Sequence, residues 1–382
     1  MTDVFDTPER TALRETVRRF VTKDVLPYQD AWEAAGELPR SLSRRAGELG
    51  LIGLTYPTSV GGGGGDAVDA LTLAEELHYA GGSSGLFASL FTSGISLPHL
   101  VNAGDPAQID KYVRPTIDGE LIGSLAITEP DGGSDVANIR TTAKRDGDEY
   151  VINGAKTYIT SAVRGDFVVT AARTGDAGAH GISLIIVDKG TPGFTVSRRL
   201  AKMGWLCSDT AELSYADVRV PAANLVGEQD TGFVQIAQNF VSERIGLAVQ
   251  AYACAQRCLD ITLAWCRDRE TFGRPLISRQ AVQNTLSEMA RRIEVARVYT
   301  RSVAVRALEQ PNLIREACFA KNTAVDAGDW VVDQAVQLHG GMGYMRECEV
   351  ERQYRDMRII GIGGGTTEIL TALAAKTLGY TS

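Results

Sequence analysis

The chain has 382 residues, 44% hydrophobic and 23% charged, with a formal charge of −8. That balance excludes a disordered chain, and the acidic surface disfavours nucleic acid and anionic membranes as partners. Glycine is in surplus at 40 residues, about one in ten against a usual level of roughly 7%.

Helices come first along the chain. Thr7-Pro8 is a start signal, a cap residue followed by proline at the first helical position. Leu13, Val17, Phe20 and Val21 then mark one apolar face. Residues 38–49 repeat the pattern and stop at Gly50; residues 66–80 form another helix, and residues 92–119 one or two more. The glycine run at 61–65 is expected to be a flexible surface linker. It has neither the preceding strand nor the following Lys-Ser/Thr of a phosphate loop. No GxGxxG follows a strand, so a Rossmann dinucleotide site is unsupported.

From Leu121 the period changes to two. Residues 150–152, 156–160, 167–172, 182–187, 194–197, 211–215 and 218–220 are short β-rich runs. Turn residues such as Asn153-Gly154 and Pro192-Gly193 separate them, as in a small antiparallel sandwich or barrel of roughly 100 residues. After Gly227 the chain is helical again. Residues 232–268 read as one helix of 37 residues, roughly 55 Å long at 1.5 Å per residue. Residues 280–309 and 313–339 follow, then two shorter helices, the pattern of a four-helix bundle.

No run approaches the roughly 20 apolar residues of a bilayer span. The start, MTDVFDTPER, has acids where a leader needs basic and apolar segments. The six cysteines include no CxxC, and the four histidines are too dispersed for zinc. These features point to the cytoplasm, with the cysteines serving as small buried side chains.

Four segments in order, AITEPDGGSD at 126–135, NGAKTYIT at 153–160, RETFG at 269–273 and QLHGG at 337–341, resemble the acyl-CoA dehydrogenase flavoprotein family. The resemblance runs from about residue 6 to residue 378 and implies that family's α+β multidomain fold. An N-terminal all-α domain (1–120) precedes a small antiparallel β domain (121–228) and a C-terminal four-helix bundle (229–382). It also implies FAD as cofactor. Ile127 and Thr128 would meet the polar edge of the flavin, Gly132, Gly133 and Ser134 would cradle the pyrophosphate, and Tyr158 and Thr160 would flank the ring near N5. Arg269, Thr271, Phe272, Gln280, Gln337, Gly340 and Gly341 would reach the FAD of a neighbouring subunit. Shared sites of this kind imply a homotetramer, a dimer of dimers. Thr366 and Glu368 would complete the set, Glu368 on the adenosine side. Taken alone, the same residues read as a surface turn, a hairpin pair and a solvated cation at a helix end.

The reaction implied is α,β-dehydrogenation of an acyl-CoA thioester, with an electron-transfer flavoprotein as acceptor. Many family members carry the catalytic glutamate in the C-terminal loop, before a Gly-Thr pair. Here the loop reads IGGGTTE at 362–368, and the carboxylate position is Gly364. In the isovaleryl-CoA and long-chain branches the glutamate precedes an arginine on the long helix. Glu243-Arg244 matches, 25 residues before Arg269. Glu243 is thus the expected base and Arg244 its modulator, with Glu368 the lesser rival. Gly364 keeps a backbone N–H to polarise the thioester carbonyl. Ser134, Arg244 and Gly363 are the other residues expected at the substrate.

Branched or medium-to-long acyl groups are expected, with Leu90, Phe91, Ser93 and Leu97 at the pocket floor. Other chemistries share these motifs: an acyl-CoA oxidase, a dehydrogenase of carrier-protein-bound acyl groups, or a catalytically silent FAD-binding homologue. The family's DNA-associated relative is disfavoured by 18 Lys+Arg against 17 Asp+Glu from Gln229 onward, which leaves no basic stripe.

Overall fold

Thr7 accepts a hydrogen bond from the Arg10 amide and Pro8 fills the first turn, so α1 (Pro8–Phe20) starts where its cap signal lies. The computed structural model describes residues 4–310 and 312–380. A π-helical turn (Val21–Val25) continues α1, followed by α2 (Gln29–Ala35) and α3 (Arg40–Glu48). Asp66 opens α4 (Ala67–Tyr79) through a capping box with Asp69. Then come α5 (Ser84–Leu90), α6 (Ser93–Ala103), and α7 (Pro106–Gln108), which a second π-helical turn joins to α8 (Arg114–Ile117).

The glycine run at 61–65 is not a loose linker. Amides of Gly63, Gly64 and Gly65 donate to Gly53, Tyr56 and Leu54 carbonyls at 2.8–2.9 Å. A Cβ at Gly62 would fall 2.1 Å from the Tyr56 carbonyl oxygen, so glycine is needed there for close approach. Residues 84–103 also depart from the sequence expectation. They reach the length and mean hydropathy (1.2) of a membrane span, but 61% of that window is buried within the fold, as for a core helix.

Seven strands form one sheet: β1 (Gly123–Ala126), β2 (Thr142–Asp146), β3 (Glu149–Thr160), β4 (Phe167–Arg173), β5 (Ile182–Asp188), β6 (Phe194–Arg199) and β7 (Thr210–Pro221). The order is β1-β4-β2-β3-β7-β6, with β5 also on β4. Pairings are antiparallel except that β4 runs parallel to β1 and to the start of β2. Asn153-Gly154 is a bulge inside β3, not a turn, and residues 211–215 and 218–220 belong to the single strand β7. Asn153 and Asp217 hydrogen-bond each other across the two irregularities.

Strands β4 and β5 are buried on both faces, which explains their unbroken apolar runs. Val169, Ala171, Leu184 and Ile186 pack with Leu97, Leu100 and Tyr112 of the helical domain. Val168, Ala172, Ile185 and Val187 pack with Ile152, Leu213 and Val218 within the β domain.

The last domain contains α9 (Gly232–Asp268), α10 (Gln280–Ala307), α11 (Ile314–His339), α12 (Glu349–Met357) and α13 (Thr367–Thr377). Helix α4 belongs to this core as much as to its own domain. Glu75 of α4 is buried, accepts from Tyr252 Oη of α9 at 2.6 Å and pairs with Arg301 of α10 at 2.7 Å.

A second buried acid ties α12 to the β domain. Asp356 Oδ1 accepts from the Trp205 amide at 2.6 Å, while its Oδ2 has no partner among the described residues. Burial, then the Glu33 charge, push Asp356 up to about 7, with the Trp205 amide and then Arg352 and Arg355 offsetting part of the rise. The unfolded carboxyl titrates near about 3.9, so this group's contribution to stability falls as pH rises from about 4 to about 7. Asp356→Asn keeps the acceptor for Trp205 and removes the titration. Its thermal midpoint is expected to exceed the parent's above pH of about 7 and to converge with it near about 4. Unfolding curves at a series of pH values check this.

Candidate active site

An acid from α9 meets a glycine loop from the far end of the chain. A Cβ built at Gly364 would lie 3.2 Å from Glu243 Oε1 and 2.4 Å from Leu247 Cδ1. The carboxylate of Glu243 therefore borders the space that a side chain at 364 would fill. Gly364 has φ +64° and Gly365 φ +96°, the left-handed region that glycine enters without strain. Among the described residues the amides of Gly364 and Gly365 donate to no protein acceptor. Unclaimed amides beside a carboxylate are what a thioester oxygen requires.

All three carbonyls of this loop face cations. Arg244 Nε lies 3.5 Å from the Gly364 oxygen. Lys321 of α11 donates to the Gly363 oxygen and, at 2.6 Å, to the Gly365 oxygen. Burial raises the Glu243 pKa, and the charges of Lys321 and Arg244 offset only part of that. Burial pulls Arg244 down from its usual value, and its guanidinium stacks over Phe240 at 4.9 Å. Glu368 is a different kind of acid: exposed at the start of α13, it is held below its usual value by its own backbone amide and by Thr366. A weakly basic surface carboxylate is the poorer base. Thr366 spends its hydroxyl as the α13 cap, accepting from Ile369 N at 3.3 Å.

Sequence reasoning missed Lys321. The signal was available, because Ala317, Lys321, Ala324 and Gly328 share one buried face of α11, a stripe of small residues with a single lysine in it.

A second group lies where β1 ends against β3. Ile127 and Thr128 are half-buried. The Thr157 amide donates to the Thr128 oxygen at 2.9 Å, and Lys156 Nζ to the Ile127 oxygen at 2.9 Å. Lys156 also pairs with buried Glu129 at 2.9 Å, whose carboxylate takes the Arg140 and Thr141 amides. Burial works against the Glu129 charge, but Lys156 and these partners outweigh it and hold the acid below its usual value. The pair fixes the loop carrying Gly133 and exposed Ser134; a Cβ at Gly133 would lie 3.6 Å from Thr128 Cγ2. Tyr158 is 69% exposed and Thr160 half-buried. Strict alternation is broken between them and Lys156 by a register shift, with Tyr158 at φ +60°.

The third group gathers at the C-terminal end of α9. Arg269 caps that helix and lies over Trp265 at 5.9 Å. Trp265 stacks on His339 at 5.0 Å and donates to the Leu338 oxygen. That brings the exposed Gln337, Gly340 and Gly341 beside Arg269. Thr271 accepts from Arg279 at 3.3 Å, Phe272 is 97% exposed at the tip of a two-residue hairpin, and exposed Gln280 starts α10. Gly132, Gly340 and Gly341 have open space where a Cβ would point. An exposed aromatic face, free hydroxyls and open glycine backbone fit a flat ring with a phosphate tail, the form of a flavin dinucleotide.

The residues expected at the pocket floor do not act as one surface. Leu90 and Leu97 lie in separate hydrophobic cores, Ser93 is buried, and half-buried Phe91 packs tilted against Phe87, ring centroids 4.9 Å apart.

Family models match nearly the whole chain. The acyl-CoA dehydrogenase N-terminal domain matches residues 7–120, the middle domain 124–218 and the C-terminal domain 230–379. A Mycobacterium smegmatis chain, solved by crystallography and classed with the acyl-CoA dehydrogenases, is 68% identical and covers 100% of both chains at a TM-score of 0.99. An acyl-CoA dehydrogenase structure from Geobacillus kaustophilus is 35% identical over 99% of this chain and 100% of its own, at a TM-score of 0.95. The long-chain specific acyl-CoA dehydrogenase of Rattus norvegicus mitochondria is 37% identical over 96% of this chain and 86% of its own.

Proposed function

The chain belongs to the acyl-CoA dehydrogenase family of FAD-dependent oxidoreductases acting on CH–CH bonds, and from that premise we propose that Glu243 is its catalytic base. The observation that carries this is the Glu243 carboxylate lying against Gly364, 3.2 Å from where a Cβ would sit. Glu243 takes the α-proton of a saturated acyl thioester onto Oε1. Burial disfavours its charge, which makes the carboxylate a stronger base than an exposed one. The free amides of Gly364 and Gly365 hold the thioester oxygen as negative charge gathers on it. FAD, when bound, accepts the hydride that leaves the β-carbon. The product is an α,β-unsaturated thioester.

The flavin would rest on Tyr158 and the end of β1, with its phosphates toward Gly133 and Ser134. The third group of residues faces outward, and Phe272 in particular is 97% exposed, with the Arg279 guanidinium 5.4 Å over its ring. This supports a homotetramer in which that end of the bundle reaches a neighbour's cofactor. An electron-transfer flavoprotein is the proposed acceptor, and buried free Cys207, Cys254, Cys258, Cys266 and Cys318 suit a cytoplasmic enzyme.

The acyl group is branched or medium-to-long in this reading. A Cβ at Gly363 would meet only the Ile359 oxygen, at 3.6 Å, and one at Gly246, a turn beyond Glu243, would meet nothing. Width beside the reacting carbons favours a branch there. A panel of straight and branched acyl-CoAs, added anaerobically while bleaching of the bound flavin is followed, tests the proposal. Bleaching by branched or longer chains is expected; a flavin that no acyl-CoA bleaches would refute the dehydrogenase reading.

A further inference from the structure

Lys321 is almost wholly buried, at 1% exposure, yet forms no ion pair among the described residues. Lysine is seldom buried without a carboxylate, because its ammonium loses hydration that neutral acceptors replace poorly. Both of its hydrogen bonds go to carbonyls of one loop, those of Gly363 and Gly365, on either side of Gly364. The next residue on α11 adds to the anchorage: Asn322 Nδ2 donates to the Thr367 oxygen and to Thr371 Oγ1, both at 3.1 Å. A neutral side chain could prop the loop. A cation does something more.

We propose that Lys321 is a positioning residue for the dehydrogenation, turning the loop carbonyls toward α11 so that the Gly364 and Gly365 amides face the substrate, and supplying charge that keeps Glu243 in its carboxylate form. The proposal rests on the reading of Glu243 as base. A carbonyl held on one side of a glycine directs the following amide to the other, and here the carbonyls of three successive residues point to Lys321 and Arg244 while the amides of Gly364 and Gly365 stay free. The groups acting on Glu243 are Lys321 from α11 and Arg244 from α9 itself, and both oppose the effect of its burial. Lys321 also feels Cys318, one turn earlier on its own helix, a thiol raised by burial. Burial brings Lys321 down to about 8, still charged at neutral pH.

The test compares Lys321→Gln and Lys321→Arg in the full-length, FAD-loaded enzyme. Two readouts are followed across pH: anaerobic flavin reduction, and exchange of substrate α-hydrogens for deuterium, which reports proton removal by itself. In Lys321→Gln the acid limb of both profiles is expected to move up by about one pH unit, as loss of a nearby opposite charge requires. Lys321→Arg should leave the limb in place. A Gln variant that is slower or less heat-stable but keeps the parental limb shows a mere prop and overturns the proposal. If Lys321→Gln does not hold FAD, Lys321→Arg decides: an unmoved limb supports the charge role, and an upward move overturns it. Glu243→Gln, run in parallel, keeps the two failures apart. Deuterium exchange that survives in Glu243→Gln removes the base assignment itself, whatever the lysine variants do.

Discussion

Replacing Glu243 with glutamine is expected to leave a yellow, FAD-loaded protein whose substrate-driven bleaching is slower by about 10³-fold or more, the scale lost with a positioned general base. The amide is nearly isosteric with the carboxylate, so packing against Leu247 and the Gly364 loop should survive. What it lacks is a lone pair basic enough to take an α-proton. Glu368→Gln tests the rival acid: once FAD is loaded, proton removal from substrate is expected to continue, since Glu368 is exposed and held below its usual value. In the parent enzyme kcat/KM should rise with pH through an acid limb above the usual carboxylate range, because burial raises Glu243 and only the ionised form acts. Stopped-flow bleaching with a saturating acyl-CoA settles the matter; a Glu243→Gln enzyme within about tenfold of the parent would mean that the proton goes elsewhere.

The second large effect is expected at the glycine opposite. Gly364→Ala places a methyl group 2.4 Å from Leu247 Cδ1 and 3.2 Å from Glu243 Oε1, on a backbone with φ +64°. The left-handed backbone alone costs an alanine about 1–2 kcal/mol. The larger consequence is for rate. Pushing the loop or the carboxylate aside by about an ångström costs on the order of 10²-fold, because proton removal depends on alignment with the thioester. Leu247→Ala in the same background should return part of the activity by relieving the closer contact. Gly363→Ala, which meets only a carbonyl at 3.6 Å, should be far milder. Equal rates for the Gly363 and Gly364 variants would show that this contact does not govern the reaction.

The long elements were legible because their signals are local. The Thr7-Pro8 cap set the start of α1, and unbroken periodicity marked α9 from Gly232 to Asp268. The glycine-for-carboxylate exchange at 364 is also readable, and with it the alternative acid in Glu243-Arg244. Features that depend on what lies across the fold were not. Asn153-Gly154 carries turn chemistry, yet its partner Asp217 lies 64 residues away and makes the pair a bulge. The run at 61–65 looks loose until Leu54 and Tyr56 are seen against it. Lys321 resembles any helical lysine until the loop 42 residues downstream shows where its ammonium points. Residues 84–103 have the mean hydropathy of a membrane span without an unbroken apolar run, and only the fold shows that 61% of that window is buried.

The attachment of α4 to the last domain has a consequence for how the chain is made. Glu75 meets Tyr252 across 177 positions and Arg301 across 226. A ribosome must therefore release most of the polypeptide before the first helices can find their final neighbours. Until then the buried face of α4 and its glutamate wait for partners not yet synthesised, an interval in which chaperones have something to hold.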